Sequence, residues 1–160
     1  MDRSWIEQFE AGAVVPASAI RGLNDEDLDA RPIAGTWSIR EIVVHLMDSD
    51  LVGSERMKRV IAMDEPALIG YDENAFVRSL DYGSTDLGLA TEVFSINRIL
   101  TARILRGLPD EAFARIGHHS ERGVESLADL VEGYVGHLEH HMVFLRKKRE
   151  LLGKPLIESL

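Results

Sequence analysis

The chain of 160 residues contains no cysteine. That excludes disulfides, cysteine-based zinc sites and a protein thiol as nucleophile, so any thiol would have to arrive with a cosubstrate. No apolar run approaches the roughly 18 to 20 residues that span a bilayer. The opening Met1-Asp2-Arg3-Ser4-Trp5 lacks the basic-then-apolar order of a secretory signal. A cytoplasmic protein with no membrane partner is expected. Positive charge is also scarce: Lys and Arg number 18 against 27 Asp and Glu, a net charge of -9. Nucleic acid is therefore not an expected partner, because phosphate binding relies on clustered cations. The one basic cluster, Arg146-Lys147-Lys148-Arg149, closes a predicted helix, where it complements the macrodipole. Phosphate-binding glycine loops, serine-nucleophile motifs and dinucleotide fingerprints are missing too. With no repeat, low-complexity tract or linker, residues 1–160 are expected to form a single domain, long enough to bury a hydrophobic core.

Strand signals are weak everywhere, whereas several long segments carry helical periodicity, which predicts an all-α bundle. A first helix is expected from Arg3 to about Ile20, with a break near Pro16. The acidic stretch from Leu23 to Gly35 ends in a loop signature, Arg31-Pro32-Ile33-Ala34-Gly35. Ser38 and Glu41 form a capping box, flanked by a hydrophobic staple of Trp37 and Ile42, and start a second helix that runs to about Met63. Its inward stripe reads Ile42, His45, Leu46, Ser49, Val52, Met57 and Val60. Tyr71 to Tyr82 is ambiguous, with room for a short helix over Asn74 to Leu80. A third long helix is expected from Ser84 to Gly107, with Leu87, Ala90, Thr91, Phe94, Arg98, Thr101 and Leu105 facing inward. Arg98 either snorkels to the bundle edge or points into a polar pocket. Gly117 to Gly123 reads as a polar loop, and a last helix runs from Ser126 to Leu152, ended by Gly153.

The chemistry concentrates in histidines. His137 and His141 stand one helical turn apart on one face. Counted at 100° per residue from His137, His141 lies at about 40°, inward, and His140 at about -60°, toward the polar margin. His45 lies on the apolar side of the second helix. An unpaired buried imidazole costs roughly 1–3 kcal/mol, and one divalent ion would satisfy all three. Three histidines leave a coordination position open, as in catalytic metal centres. Zinc or nickel suits such a set best, and iron or manganese also matches the ligand type. Asp48, three residues beyond His45, is either a carboxylate that orients that ring or a solvent-facing acid. His118 and His119 either cap a pocket or sit exposed on their loop.

The segment Gly35-Thr36-Trp37-Ser38-Ile39-Arg40-Glu41-Ile42-Val43-Val44-His45 resembles the signature of the DinB-like superfamily, and Tyr134-Val135-Gly136-His137-Leu138-Glu139-His140-His141 resembles its closing His-x-x-x-His element. His118 to Leu127, with Glu121 and Gly123, resembles the loop leading into that helix. The resemblance covers nearly the whole chain. It implies a four-helix bundle of up-up-down-down topology, a divalent metal ion on His45, His137 and His141, and a homodimer. Relatives of this kind include thiol-dependent S-transferases and a mycothiol-dependent maleylpyruvate isomerase, while others are assigned only provisionally as metal-dependent hydrolases.

The leading expectation is thus a metal-dependent enzyme that activates a low-molecular-weight thiol for attack on a small electrophile, with Arg98 orienting an anionic group. Hydrolysis by activated water is the first rival. The second is a non-catalytic metal-binding bundle that works through a partner.

Overall fold

Side-chain caps set the starts of the long helices. In a computed structural model that describes residues 1–156, Ser38 accepts from the Glu41 amide while the Glu41 carboxylate accepts from the Ser38 amide at 2.7 Å, opening α4 (Ile39–Ala62). The last four residues of the expected 1–160 domain lie outside that range. Asp86 caps α6 (Leu87–Arg106), and Ser126 with Asp129 forms a second box at α7 (Leu127–Leu151). Gly153, at φ 69°, takes the left-handed conformation that ends α7. The first helix is broken as expected, into α1 (Ser4–Ala11), a 3-10 turn at Gly12–Val14, and α2 (Val15–Ala19) with Pro16 in its first turn. Gly12 sits at the break because a Cβ there would lie 2.4 Å from the Arg98 guanidinium. The acidic stretch expected to be loop holds a short helix, α3 (Asp25–Asp29), opened by an Asn24–Asp27 capping box.

The four-helix bundle expected from the sequence is present, built from the broken first helix, α4, α6 and α7. Both α1 and α4 pack against α6 and α7, which places α1 diagonal to α4 and α6 diagonal to α7. The helix directions correct the expected topology. Arg40 bonds to the Thr85 carbonyl and Asn97 to the Asp50 carbonyl, so α4 and α6 run parallel. Glu7 pairs with Arg106 near the far end of α6, so α1 opposes α6. Lys148 reaches Thr36 and His45 meets His137, so α7 opposes α4. The order is up, down, down, up rather than up-up-down-down. The physical reason is the path of residues 63–86, which return along the bundle between α4 and α6, carrying β1 (Ala67–Leu68) and α5 (Glu73–Ser79).

A small sheet accompanies the mostly helical bundle that the sequence predicts. The segment read as a polar loop is a hairpin, β2 (Ile116–His119) and β3 (Gly123–Ser126), with Ile116 opposite Ser126 and His119 opposite Gly123. β1 joins it in parallel, Leu68 beside His119. Strands of two to four residues are too short to carry an alternating pattern.

Two apolar clusters fill the interior. One, around Ile42, Val43, Phe94 and Leu145, lies toward the α4 N-terminus. The other, around Phe9, Met57, Leu105 and Leu130, lies toward its C-terminus.

Candidate metal centre

α4 carries His45 in its second turn, fully buried, and α7 presents His137 and His141 from the opposite wall, half-buried. One ligand-capable atom from each of the three lies within 4.8 Å of the others. His45 Nε2 faces His137 Nε2 at 3.2 Å. His141 stands with its ring centroid 4.6 Å from both. Metal–nitrogen bonds of roughly 2.0–2.1 Å in a tetrahedral shell place two nitrogens roughly 3.3 Å apart, so the His45–His137 spacing fits a shared divalent ion. Among the described residues no carboxylate completes the group.

Burial keeps the three imidazoles neutral. Desolvation, reinforced by neighbouring imidazoles, pulls His45 and His137 from 6.5 down to about 3 and His141 to about 4. Neutral imidazoles are the form that ligates metal. Their orientation comes from ring packing. Trp37 lies 4.8 Å from His45 and stacks nearly parallel on His141 at 6.0 Å, and Tyr134 meets His137 edge-on. Gly53 makes room for Tyr134, since a Cβ there would lie 2.3 Å from its ring.

Asp48 does not orient His45. Its carboxylate accepts from the Tyr82 hydroxyl at 2.5 Å, while His45 Nδ1 is buried without a hydrogen-bond partner. A residue three positions on shares a helix face only approximately, and Asp48 turns toward Tyr82 of the 63–86 crossover. Arg98 neither snorkels nor lines a pocket: it is 1% exposed. Its Nε donates to both Asp50 oxygens at 2.9 and 3.2 Å, and its Nη atoms donate to the carbonyls of Phe9 and Tyr134. Phe9 and Phe94 cover its faces at 4.5 and 4.7 Å. Every nitrogen of this guanidinium has a partner within the protein and none of it reaches the surface, so it locks the fold. His118 is exposed beside Glu65, and His140 is exposed on α7, as its phase predicts. His119 is 4% exposed, because the hairpin turns it inward.

A cavity of about 360 Å³ reaches His137 from the side of the hairpin and the 63–86 crossover; Arg56, Tyr71, His119 and Tyr134 line it. The sequence reading did not single out Arg56 or Tyr71. Arg56 was nonetheless within reach of helix arithmetic, since eleven residues after His45 place it about 20° away on the same face. A second hollow, about 260 Å³, reaches His141 between Trp37, Ile42 and Phe144.

Residues 8–145 match the sequence profile of the DinB superfamily. The chain is 26% identical over 150 residues to "Putative metal-dependent hydrolase YfiT" of Bacillus subtilis, covering 93% of this chain and 84% of that protein. A Bacillus licheniformis protein, also named as a putative metal-dependent hydrolase, is 26% identical over 93% of this chain and 85% of its own length. The structure of YfiT from Bacillus subtilis, described as "a probable metal-dependent hydrolase with an unusual four-helix bundle topology", superposes with a TM-score of 0.88 over 94% of this chain and 86% of that one.

Proposed function

The chain belongs to the DinB superfamily, and from that premise we propose that it is a metal-dependent hydrolase of a small-molecule substrate. The observation that carries this reading is the mutual approach of His45, His137 and His141, three neutral imidazoles turned toward one point in a buried wall. They would hold the ion, zinc or nickel by preference and iron or manganese by ligand type. A divalent ion held by three neutral ligands keeps its full charge and lowers the pKa of a water or thiol bound to it. The protein residues do the rest. Trp37 and Tyr134 fix the imidazole planes, and the cavity beside His137 admits a small molecule. A purely structural ion would be saturated by protein ligands. Here three donors group together among the described residues, which leaves a position open.

Activation of a low-molecular-weight thiol is the second reading, and one observation favours it. The hollows beside His137 and His141 share no lining residue, which suits a reaction of two substrates. Turnover that needs added thiol supports transfer; turnover in water alone supports hydrolysis.

The first test is the metal content of protein made without a histidine tag. About one divalent ion per chain is expected in the wild type and none in His141→Ala, with helical circular dichroism retained. Equal metal content in both would overturn the site.

A second copy of this chain is the partner we propose. Leu89, Val93, Ile96, Leu100 and Ile104 form a stripe along α6, each at least 40% exposed. Such an apolar stripe on an outer helix face marks an interaction surface. Sedimentation should give a dimer for the wild type and a monomer for Val93→Glu/Leu100→Glu. Among the described residues no helix is long and apolar enough to cross a membrane.

A further inference from the structure

The cavity beside His137 holds an unusual set of polar atoms. Five buried side-chain nitrogens or oxygens among the described residues have no hydrogen-bond partner, and three of them, Arg56 Nε, Tyr71 Oη and His119 Nε2, belong to residues that line this one cavity. Arg56 is 4% exposed. Its Nη2 donates to the Ile69 carbonyl at 2.5 Å and its Nη1 to the Tyr134 hydroxyl at 3.3 Å, yet it makes no ion pair among the described residues. A buried guanidinium without a counterion is strongly disfavoured unless something else supplies the negative charge.

His119 is set up as a donor. Its Nδ1 accepts from the backbone amides of Glu121 and Arg122 at 3.2 and 3.3 Å, which leaves the ring proton on Nε2. Nε2 is the atom without a partner. Three residues around one cavity thus each carry a donor without a partner, one of them cationic. Glu73 and Glu121, exposed and without an ion pair among the described residues, line the same cavity. Arg122 is already paired with Glu125, and Asp129 is occupied in capping α7.

We infer that this cavity is a binding site for a small monocarboxylate: Arg56 anchors the carboxylate, Tyr71 and His119 donate to it, and the rest of the molecule, neutral or cationic, lies toward Glu73 and Glu121. The acids disfavour dianions. As a substrate seat the site rests on the hydrolase reading, since the bound molecule would then lie against His137; as a carboxylate site it stands on Arg56 alone.

The test uses four small probes, butyrate, butyramide, 4-aminobutyrate and succinate, titrated by ligand-observed NMR. Titrations are run against the zinc-loaded wild type and the metal-free His141→Ala protein. Butyrate and 4-aminobutyrate should bind at least about tenfold more tightly than butyramide, the difference expected for a hydrogen bond to a charged group. Succinate should bind more weakly than butyrate. The preference for carboxylate over amide should survive in His141→Ala, vanish in Arg56→Gln and persist in part in Arg56→Lys and Tyr71→Phe. A preference found only in the metal-loaded protein would make the ion the anchor and overturn the inference. So would a preference unchanged in Arg56→Gln, equal binding of butyrate and butyramide, or no binding of any probe. If the wild type takes up no metal but still selects the carboxylate through Arg56, the hydrolase reading falls and the site stands.

Discussion

Two arginines are almost equally hidden in this bundle, Arg98 at 1% exposure and Arg56 at 4%, and their surroundings differ completely. Arg98 is saturated: the Asp50 carboxylate, two backbone carbonyls and two phenyl faces account for its nitrogens and its plane. Arg56 has a carbonyl, a hydroxyl, one orphaned nitrogen and a cavity. A buried charge with every partner supplied by the chain belongs to the fold, because the folded protein needs nothing more. One left incomplete at the wall of a cavity that ends on a metal-ligand candidate belongs to whatever enters there.

The largest expected effect tests the saturated side. Arg98→Leu strands Asp50, already pushed up to about 6 by burial against the pull of the guanidinium. Removing one member of a buried pair costs about 3–5 kcal/mol. Urea denaturation should therefore show a protein near the edge of folding, and Asp50→Leu in the same chain should recover much of the loss. Arg56→Gln should lose far less, about 1–2 kcal/mol for two hydrogen bonds. Equal losses at the two positions would erase the distinction drawn between them.

A second effect, spread over pH, comes from the histidine wall. In metal-free protein the folded pKa values of His45, His137 and His141 lie below the unfolded value of 6.5, at about 3 to 4. Below pH 6.5 the unfolded chain therefore binds protons that the folded chain refuses, and stability falls as the pH drops from 6.5 toward about 4. The three together should make the metal-free protein progressively less stable across that window. His141→Phe should flatten the dependence by about one proton. A melting temperature of the metal-free wild type that stays constant over this range would show the imidazoles to be more open to water than their burial indicates.

Much of this arrangement was legible in the sequence, and the gaps have physical causes. Ser38, Glu41 and Trp37 placed the start of α4 because capping is local, confined to four residues. Helical phase turned His45, His137 and His141 inward because periodicity records which face is buried. Phase names a face and never a partner. It put Arg98 on the inward stripe of α6 but could not show Asp50, 48 residues earlier, waiting for it. Snorkelling was therefore the natural reading, and it was wrong. Direction was illegible for a similar reason: the parallel run of α4 and α6 depends on the path of residues 63–86, which carry no strong pattern. His119 was hidden by a strand too short to show alternation. The Asn24–Asp27 box was readable and overlooked, masked by the acidity around it.

The smallest effect concerns Asp48, the one carboxylate assigned to the metal centre by spacing. If its work is to hold Tyr82, which is 1% exposed, then Tyr82→Phe removes a single hydrogen bond from a half-buried acid. A loss of about 1 kcal/mol is expected, the usual size for such a bond. Metal content and affinity should not change, because the Tyr82 hydroxyl bonds to Asp48 and Asp48 bonds to none of the three histidines. Asp48→Asn should behave alike, since an amide oxygen still accepts from the hydroxyl. A second-sphere carboxylate gives the opposite pattern: its removal typically weakens metal binding about 10- to 100-fold with little change in stability. A competition titration against a chelator separates the two, and a weakened Asp48→Asn protein would return this acid to the centre.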